Sequence, residues 1–366
     1  MTNFFNNTFN NKKILITGHT GFKGSWLTAW LKLLNANILG LSLDFISSPS
    51  HFVEAKIDNN IIDVRADIRD EKKVIEIIND FKPDYIFHLA AQALVQESYD
   101  DPLYTWETNV IGTVNVLNSL KKLSNPCNAI FITSDKCYDN VEWIWGYRET
   151  DKLGGVDPYS SSKAAAEIAI NSFKKSFFDK KESLIKIVSA RAGNVIGGGD
   201  WSKNRIIPDT IKAWSANTPA IIRNPDSTRP WQHVLEPISG YLNLAAVLNT
   251  NNLMNGESFN FGPSDNQNYK VVDLVDKMSS YWLNSKWKIE KKNNQRYESG
   301  LLKLNCDKAL SFLGWQSTLG FEETVKFTTE WYNDYYEDSL LISNTTNKQI
   351  LDYCDLALKR NLKWAL

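Results

Sequence analysis

Three glycines spaced every third position, in the run Thr17-Gly18-His19-Thr20-Gly21-Phe22-Lys23-Gly24, constrain this chain more than any other feature. A short apolar run at 14–17 leads into them. Helical spacing follows, with Trp26, Leu27, Trp30, Leu31 and Leu34 on one face. Gly18 allows a tight turn, Gly21 lets the backbone approach a bound group, and Gly24 lets helix and strand pack closely. The helix start adds free N–H groups and a positive dipole end, so the turn, with Thr20, Phe22 and Lys23 on it, suits a pyrophosphate. An acid, Asp44, closes the second apolar run 20 residues after Gly24. A carboxylate there can bond ribose hydroxyls and repel a 2′-phosphate, which favours NAD over NADP. Asp67 and Ile68 follow the third apolar run, where they could flank an adenine.

From residue 12 onward, apolar runs alternate with helical patterns. Strand signals fall at 14–17, 37–43, 61–64, 85–89, 129–133 and 184–189. Helical spacing falls at 24–34, 71–80, 105–120 and 160–174, the last with Ser160 available as its cap. This predicts β-α-β units and an α/β fold with a doubly wound, Rossmann-type parallel sheet. The pattern weakens after about residue 193, where a smaller C-terminal α/β substrate domain is expected. The run 259–262 predicts a strand returning to the first sheet. The expected division is 12–195, with a returning segment at about 231–262, for the dinucleotide domain; 196–230 and 263–366 form the second. Residues 1–11 are Asn-rich and read as a polar tail, disordered or loosely docked.

At 366 residues the chain is long enough for two cores. Its net charge of -1 carries no basic excess for nucleic acid. No apolar run approaches the roughly 20 residues that cross a bilayer, and no positive-then-apolar leader opens the chain. A cytoplasmic protein without nucleic-acid or membrane partners is expected. Cys127, Cys137, Cys306 and Cys354 lack C-x-x-C spacing and the four histidines are dispersed, so no metal site is expected.

Tyr159 and Lys163 lie four residues apart at the start of a predicted helix, which stacks them on one face. A lysine ammonium beside a phenol favours phenolate, which predicts a lowered tyrosine pKa. Such a phenolate can take a proton from a sugar hydroxyl while hydride leaves the same carbon for nicotinamide, and Lys163 can also bond the nicotinamide ribose.

With these pieces in place the chain resembles the extended short-chain dehydrogenase/reductase superfamily. The resemblance rests on the glycine run, His88-Leu89-Ala90-Ala91-Gln92, Thr108-Asn109, Ser134-Asp135-Lys136 and the Tyr159/Lys163 pair. More closely it resembles the nucleotide-sugar 4,6-dehydratases of the CDP-glucose branch. That match is carried by GHTGFKGSWL (18–27), TSDKCY (133–138), WGYRE (145–149), ARAGNVIGGGDW (190–201) and RPWQHVLEP (229–237). It implies a reaction on CDP-glucose in which NAD takes hydride from C4, water is lost across C5 and C6, and the hydride returns to C6. The product would be CDP-4-keto-6-deoxy-glucose, a deoxysugar precursor of the kind used for lipopolysaccharide O-antigen.

The same resemblance implies the residue roles. Tyr159 is the C4 base, supported by Lys163; Ser134 shares the C4 oxygen; Asp135 protonates the departing C6 hydroxyl, a task for which burial would raise its pKa. Lys136 stands where most of these dehydratases carry the Glu that acts at C5. It could act as a neutral base or, charged, stabilise the enolate. Leu89, Ala90, Ala91, Gln92 and Thr108 would line the cofactor. Asn194 would contact the substrate diphosphate. Arg229 suits the pyrophosphate because a guanidinium forks onto phosphate oxygens, with Arg205 and Arg223 as further candidates. Trp201 and Trp231 could wall the sugar or base, although packing is the commoner fate of a tryptophan. Residues 143–148 could form a loop over the sugar.

A homodimer, or a dimer of dimers, is implied through the helices at 105–120 and 160–174. Its apolar stripes would be Val110, Val114 and Leu117 on one, and Ala164, Ala165 and Ile168 on the other. The alternatives are a dehydratase for a dTDP-, UDP- or GDP-hexose, a 4-epimerase, which has no use for an elimination acid, and an idle NAD-binding scaffold.

Overall fold

A computed structural model describes residues 4–45, 47–180, 182–264, 269–290 and 301–366. Seven strands make one sheet: β1 (Lys13–Thr17), β2 (Asn37–Ser42), β3 (Ile62–Arg65), β4 (Tyr85–His88), β5 (Cys127–Ile132), β6 (Ile185–Ala192) and β7 (Ser258–Phe261). Their order is β7-β6-β5-β4-β1-β2-β3, and every neighbouring pair is parallel. The order reverses between β1 and β4. Ligands of open α/β sheets bind in the crevice outside the strand ends at such a reversal.

Period-two alternation builds both faces. Ile14 and Ile16 of β1 join the core that holds Trp26 and Trp30, whereas Leu15 joins Leu39, Leu41 and Ile86 in the opposite core. Helix α1 (Phe22–Leu33) covers the first face. Helices α2 (Glu71–Phe81), α3 (Gly112–Leu120) and α4 (Pro158–Phe173) belong to the other, through Val74, Ile78, Val116, Leu117 and Ile170. Burial corrects part of the predicted dimer stripe: Leu117 lies in this second core and Ala164 in a small cluster with Cys137, Tyr138 and Tyr147. Leu117 and Ala164 are buried, so they serve the subunit's own packing, while Ile168 is exposed.

Helix α4 starts two residues before the predicted 160. Pro158 occupies its first turn, where a missing N–H costs nothing. Asp157 is the cap: it accepts from the Ser160 N–H at 2.9 Å, and the Ser160 hydroxyl donates to its second oxygen at 2.6 Å. Ser160 therefore supports the cap and is not itself the cap. Such caps contribute about 1 kcal/mol.

Residues 4–11 are docked, contrary to the tail read from their composition. Phe4, Phe5 and Phe9 are buried; Phe5 stacks on Trp364 at 5.2 Å and Phe9 meets Tyr85 edge-on at 5.4 Å. The asparagines have a backbone reason to be there: Asn6, Asn7 and Asn11 take left-handed conformations, which asparagine tolerates.

Beyond β6 come α5 (Leu235–Thr250), α6 (Phe321–Glu337) and α7 (Ile342–Lys359). Glu236, at the start of α5, ties these elements together. Its carboxylate accepts the backbone N–H groups of Thr318 and Leu319 and the Tyr353 hydroxyl. Among the described residues no helix is long and apolar enough to cross a membrane, and no cluster of three or more His, Cys, Asp or Glu could hold a metal.

Candidate active site

The glycine turn forms a cradle at the β1 end of the crevice. Gly18 has φ +76°, and a Cβ there would meet the Ala90 nitrogen at 2.7 Å. A Cβ on Gly24 would meet the Gly18 carbonyl oxygen at 2.1 Å, so helix and turn touch here only because Gly24 lacks one. Gly21 precedes α1 in extended conformation and no side chain caps the helix, which leaves that end to an anion. Thr20 Oγ1 pairs with Ser42 Oγ at 2.9 Å. His88 is a buried post between Thr17 and Thr113, at 2.8 and 3.0 Å, and burial lowers its pKa to about 3. Leu89, Ala90 and Ala91 carry the chain past it.

Gln92 and Asn109 clamp each other. Asn109 Oδ1 accepts the Gln92 N–H, and its Nδ2 donates to the Gln92 carbonyl and to Ser162 Oγ on α4. The Thr108 hydroxyl beside it is buried and finds no partner among the described residues, an orphan that suits a dinucleotide. Asp44 lies exposed two residues beyond β2. Asp67 is engaged by Arg69 at 2.7 Å, and Ile68 packs on Gly112, whose Cβ would meet it at 2.5 Å.

The chemical groups converge from two elements. Ser134 leaves β5 and caps a single turn, Asp135–Cys137; its hydroxyl donates to Asp135 Oδ1 at 2.9 Å and accepts from the Lys136 N–H at 3.2 Å. Asp135 is buried and Lys136 half-buried. Tyr159 and Lys163, both buried, come from the first turns of α4. Burial pushes the Tyr159 phenol up to about 12, against the pull of its Ser134 hydrogen bond. The expected lowering does not appear: taking a phenolate out of water, with the Asp135 and Asp157 charges adding to it, outweighs the Ser134 hydrogen bond and the Arg205 charge. Burial also brings Lys163 down to about 8, against the attraction of Glu167. Lys23 reaches in from the cradle. Burial brings it too to about 8, with Asp135 pulling the other way and Arg205 and Lys163 adding to the fall.

Several supporting residues were not singled out from sequence. Glu167 and Arg191 form a buried ion pair at 2.8 Å beneath the site. Thr133 and Ser189 also donate to Glu167, and Arg191 donates to Tyr138. Breaking such a pair costs about 3–5 kcal/mol. Glu167 stands one helical turn after Lys163, a spacing that could have flagged it. Gly193, Asp200 and Gln232 were likewise missed.

On the substrate side, Asn194 takes a left-handed backbone, φ 50°, next to Gly193. Arg205 pairs with Asp200 at 2.9 Å and is among the charges acting on Tyr159. Arg223 is among the cations that act on Asp209, and Arg229 Nη1 donates to the Thr228 carbonyl. Trp201 is packed among Trp331, Tyr332 and Tyr335, and Trp231 is buried, so both are packing residues. Trp143, Ile144, Trp145 and Arg148 line an open cleft of about 390 Å³ with Lys303 and Asn305.

The reversal-point cradle and the Tyr159/Lys163 helix define an extended short-chain dehydrogenase/reductase. Within that class, the chain belongs to the GDP-mannose 4,6 dehydratase family, whose profile matches residues 15–328. It is 44% identical over 353 residues to a CDP-glucose 4,6-dehydratase of Salmonella typhimurium, covering 95% of this chain and 97% of that one. In fold it is similar to an epimerase of Methanothermobacter thermautotrophicus, with TM-score 0.78, 23% identity and coverage of 92% and 96%. It is also similar to a Bacillus anthracis dTDP-glucose 4,6-dehydratase in complex with NAD, with TM-score 0.72, 22% identity and coverage of 89% and 98%.

Proposed function

We propose that this protein converts CDP-glucose to CDP-4-keto-6-deoxy-glucose with a tightly held NAD. The observation that carries the reading is the buried Ser134-Asp135 pair set against Tyr159 and Lys163, in a chain 44% identical over nearly its whole length to a CDP-glucose 4,6-dehydratase. A 4-epimerase needs the tyrosine and lysine but has no task for the acid.

Gly18, Thr20, Gly21, Phe22, Lys23 and Gly24 hold the pyrophosphate, Asp44 the ribose hydroxyls, Asp67 and Ile68 flank the adenine, and Leu89 to Gln92 with Thr108 line the rest. When bound, NAD supplies a hydride acceptor that later gives the hydride back. Tyr159 takes the C4 hydroxyl proton, and Ser134 steadies that oxygen. Lys163 offsets the phenolate charge. The resulting ketone acidifies C5, whose proton leaves on the side assigned to Lys136, while Asp135 protonates the departing C6 hydroxyl. Asn194, Arg205, Arg223 and Arg229 are assigned to the nucleotide diphosphate.

The reading includes a dinucleotide domain of residues 12–195 with 231–262, and a substrate domain from 196–230 and 263–366. It also includes a cytoplasmic homodimer whose product enters deoxysugar biosynthesis such as that of lipopolysaccharide O-antigen. The test is a panel of CDP-, dTDP-, UDP- and GDP-glucose incubated with protein and NAD and read by mass. Loss of water from CDP-glucose alone supports the proposal. Water loss from another sugar nucleotide corrects the base. An unchanged mass with inverted C4 stereochemistry points to an epimerase, and no change at all to an idle scaffold.

A further inference from the structure

Away from the catalytic groups, residues 140–148 fold back on themselves around Tyr147. The Tyr147 hydroxyl donates to Asn140 Oδ1 at 3.1 Å and accepts the Val141 N–H at 2.8 Å, and Trp143 stacks on the Tyr147 ring at 5.1 Å. The run 301–305 is joined to this loop. The Tyr147 N–H donates to the Lys303 carbonyl and the Asn305 N–H to the Tyr147 carbonyl, both at 2.9 Å. Gly146 lets the two backbones touch, since a Cβ there would meet the Asn305 nitrogen at 2.7 Å. The cleft of about 390 Å³ opens against this wall. That volume lies within the roughly 300–1,000 Å³ of small-molecule sites.

Among the described residues the cleft shares only Lys303 with the pocket beside Asp135, and none of Ser134, Asp135, Tyr159, Lys163 or Asn194 lines it. Its own groups are of two kinds. Trp145 is 66% exposed and Trp143 37%, and their rings meet edge-on at 6.0 Å, which leaves indole surface open to solvent. Arg148 is exposed and Lys303 half-buried, and neither side chain has an ion pair or hydrogen bond among the described residues. Asp151 is the carboxylate on the wall, and its Oδ2 is engaged by the Arg148 N–H at 2.7 Å. An open aromatic face stacks on any base, and a guanidinium forks onto phosphate oxygens. A neutral sugar would leave both cations unmatched, and inorganic phosphate would leave the indoles bare. A nucleotide answers both.

We propose that this cleft is a second nucleotide site, separate from the catalytic crevice, where a nucleoside diphosphate stacks its base on Trp145 and sets its phosphates against Arg148 and Lys303. The aromatic stack continues inward from the wall. Tyr147 lies on Tyr138 at 5.1 Å, and Tyr138 follows the Asp135–Cys137 turn and accepts from Arg191. The second site goes beyond the dehydratase reading and does not depend on it, since the cleft carries none of the reacting groups.

The test is titration of NAD-loaded protein with CDP, followed by calorimetry and tryptophan fluorescence. NAD fills the cradle, which leaves the crevice and the cleft to the added nucleotide. Two events per protomer are expected. Trp145→Ala should weaken one of them about tenfold or more, the scale of a lost base stack, and Arg148→Gln should weaken the same event. Trp145→Phe should retain it, because a ring remains. Arg148→Gln leaves the aromatic wall in place and carries the test if the alanine variant fails to fold. CDP-glucose filling the same event would show that the cleft takes the nucleotide part of a nucleotide sugar; CDP alone filling it would mark a free nucleotide as the ligand. Wild-type binding in which no event responds to either substitution would overturn the proposal. So would an event that inorganic pyrophosphate fills equally well, which is an anion contact only, or a wild-type oligomer that Trp145→Ala dissociates, which means that a second copy covers the cleft. A lone event that both substitutions weaken would support the cleft and count against CDP-glucose in the crevice, which separates the two failures.

Discussion

The Asp135 carboxylate rests directly on the backbone of Gly193: a methyl group built at 193 would meet Asp135 Oδ2 at 1.8 Å. Gly193 has no left-handed conformation to explain it, so space for the acid is its whole reason. Gly193→Ala should therefore displace Asp135 and lower kcat by about 100-fold, the cost of a displacement on the order of 1 Å, while the protein remains folded. Turnover and melting temperature measured together check this; a fully active alanine variant would show that the acid sits elsewhere.

Tyr159→Phe removes the C4 base and leaves the cradle untouched. Turnover should fall by about 100- to 10,000-fold, with NAD affinity little changed. Calorimetric titration beside rate measurement separates the two, and a near-normal rate would disprove the assignment.

Asp44 stands exposed just past β2, clear of the sheet. Asp44→Ala should weaken NAD and relax its discrimination against NADP, because a ribose partner and a repelling charge vanish together. An unchanged NAD/NADP preference in binding titrations would refute that role.

Leu103, Ile111 and Ile168 expose 67%, 50% and 61% of their surface on the outer helices. If a second copy covers them, Ile168→Glu should turn a dimer into a monomer in sedimentation velocity, since burying an unpaired charge opposes association. Wild-type protein that already sediments as a monomer would contradict the dimer.

Burial raises Glu236 to about 7 from an ordinary 4.5, against the pull of the Leu319 and Thr318 N–H groups, the Tyr353 hydroxyl and the Arg360 charge. The folded state thus holds this proton more tightly than the unfolded chain does. The stability involved is greatest below about pH 4.5, falls as pH rises towards about 7 and is level above it, a change of up to about 3 kcal/mol. Glu236→Gln cannot ionise. Its melting temperature relative to wild type should therefore climb between about pH 5 and about pH 8; a gap that stays constant would place the titration elsewhere.

The parts legible in the sequence were those written locally. Gly18 and Gly24 announce a cradle because backbone conformation and close approach leave no alternative residue there. The strand runs announced a parallel sheet because covered strands are apolar throughout, and the run at 259–262 was read as a returning strand, as Ser258–Phe261 is. Phe4, Phe5 and Phe9 were missed because asparagine content spoke for a polar tail, whereas docking depended on Trp364 at the far end of the chain. Leu117 and Ala164 were placed on an outer stripe because a helical pattern shows a face without showing which neighbour it meets.

What the chain determined by itself was therefore the kind of parts present: a phosphate turn, a tyrosine and a lysine one helical turn apart, an acid after the fifth strand. Their behaviour was settled in three dimensions. Whether Tyr159 ionises easily and where Asp135 rests both depend on segments distant in sequence that pack over them. Desolvation and contact are properties of those neighbours, and no local spacing records them.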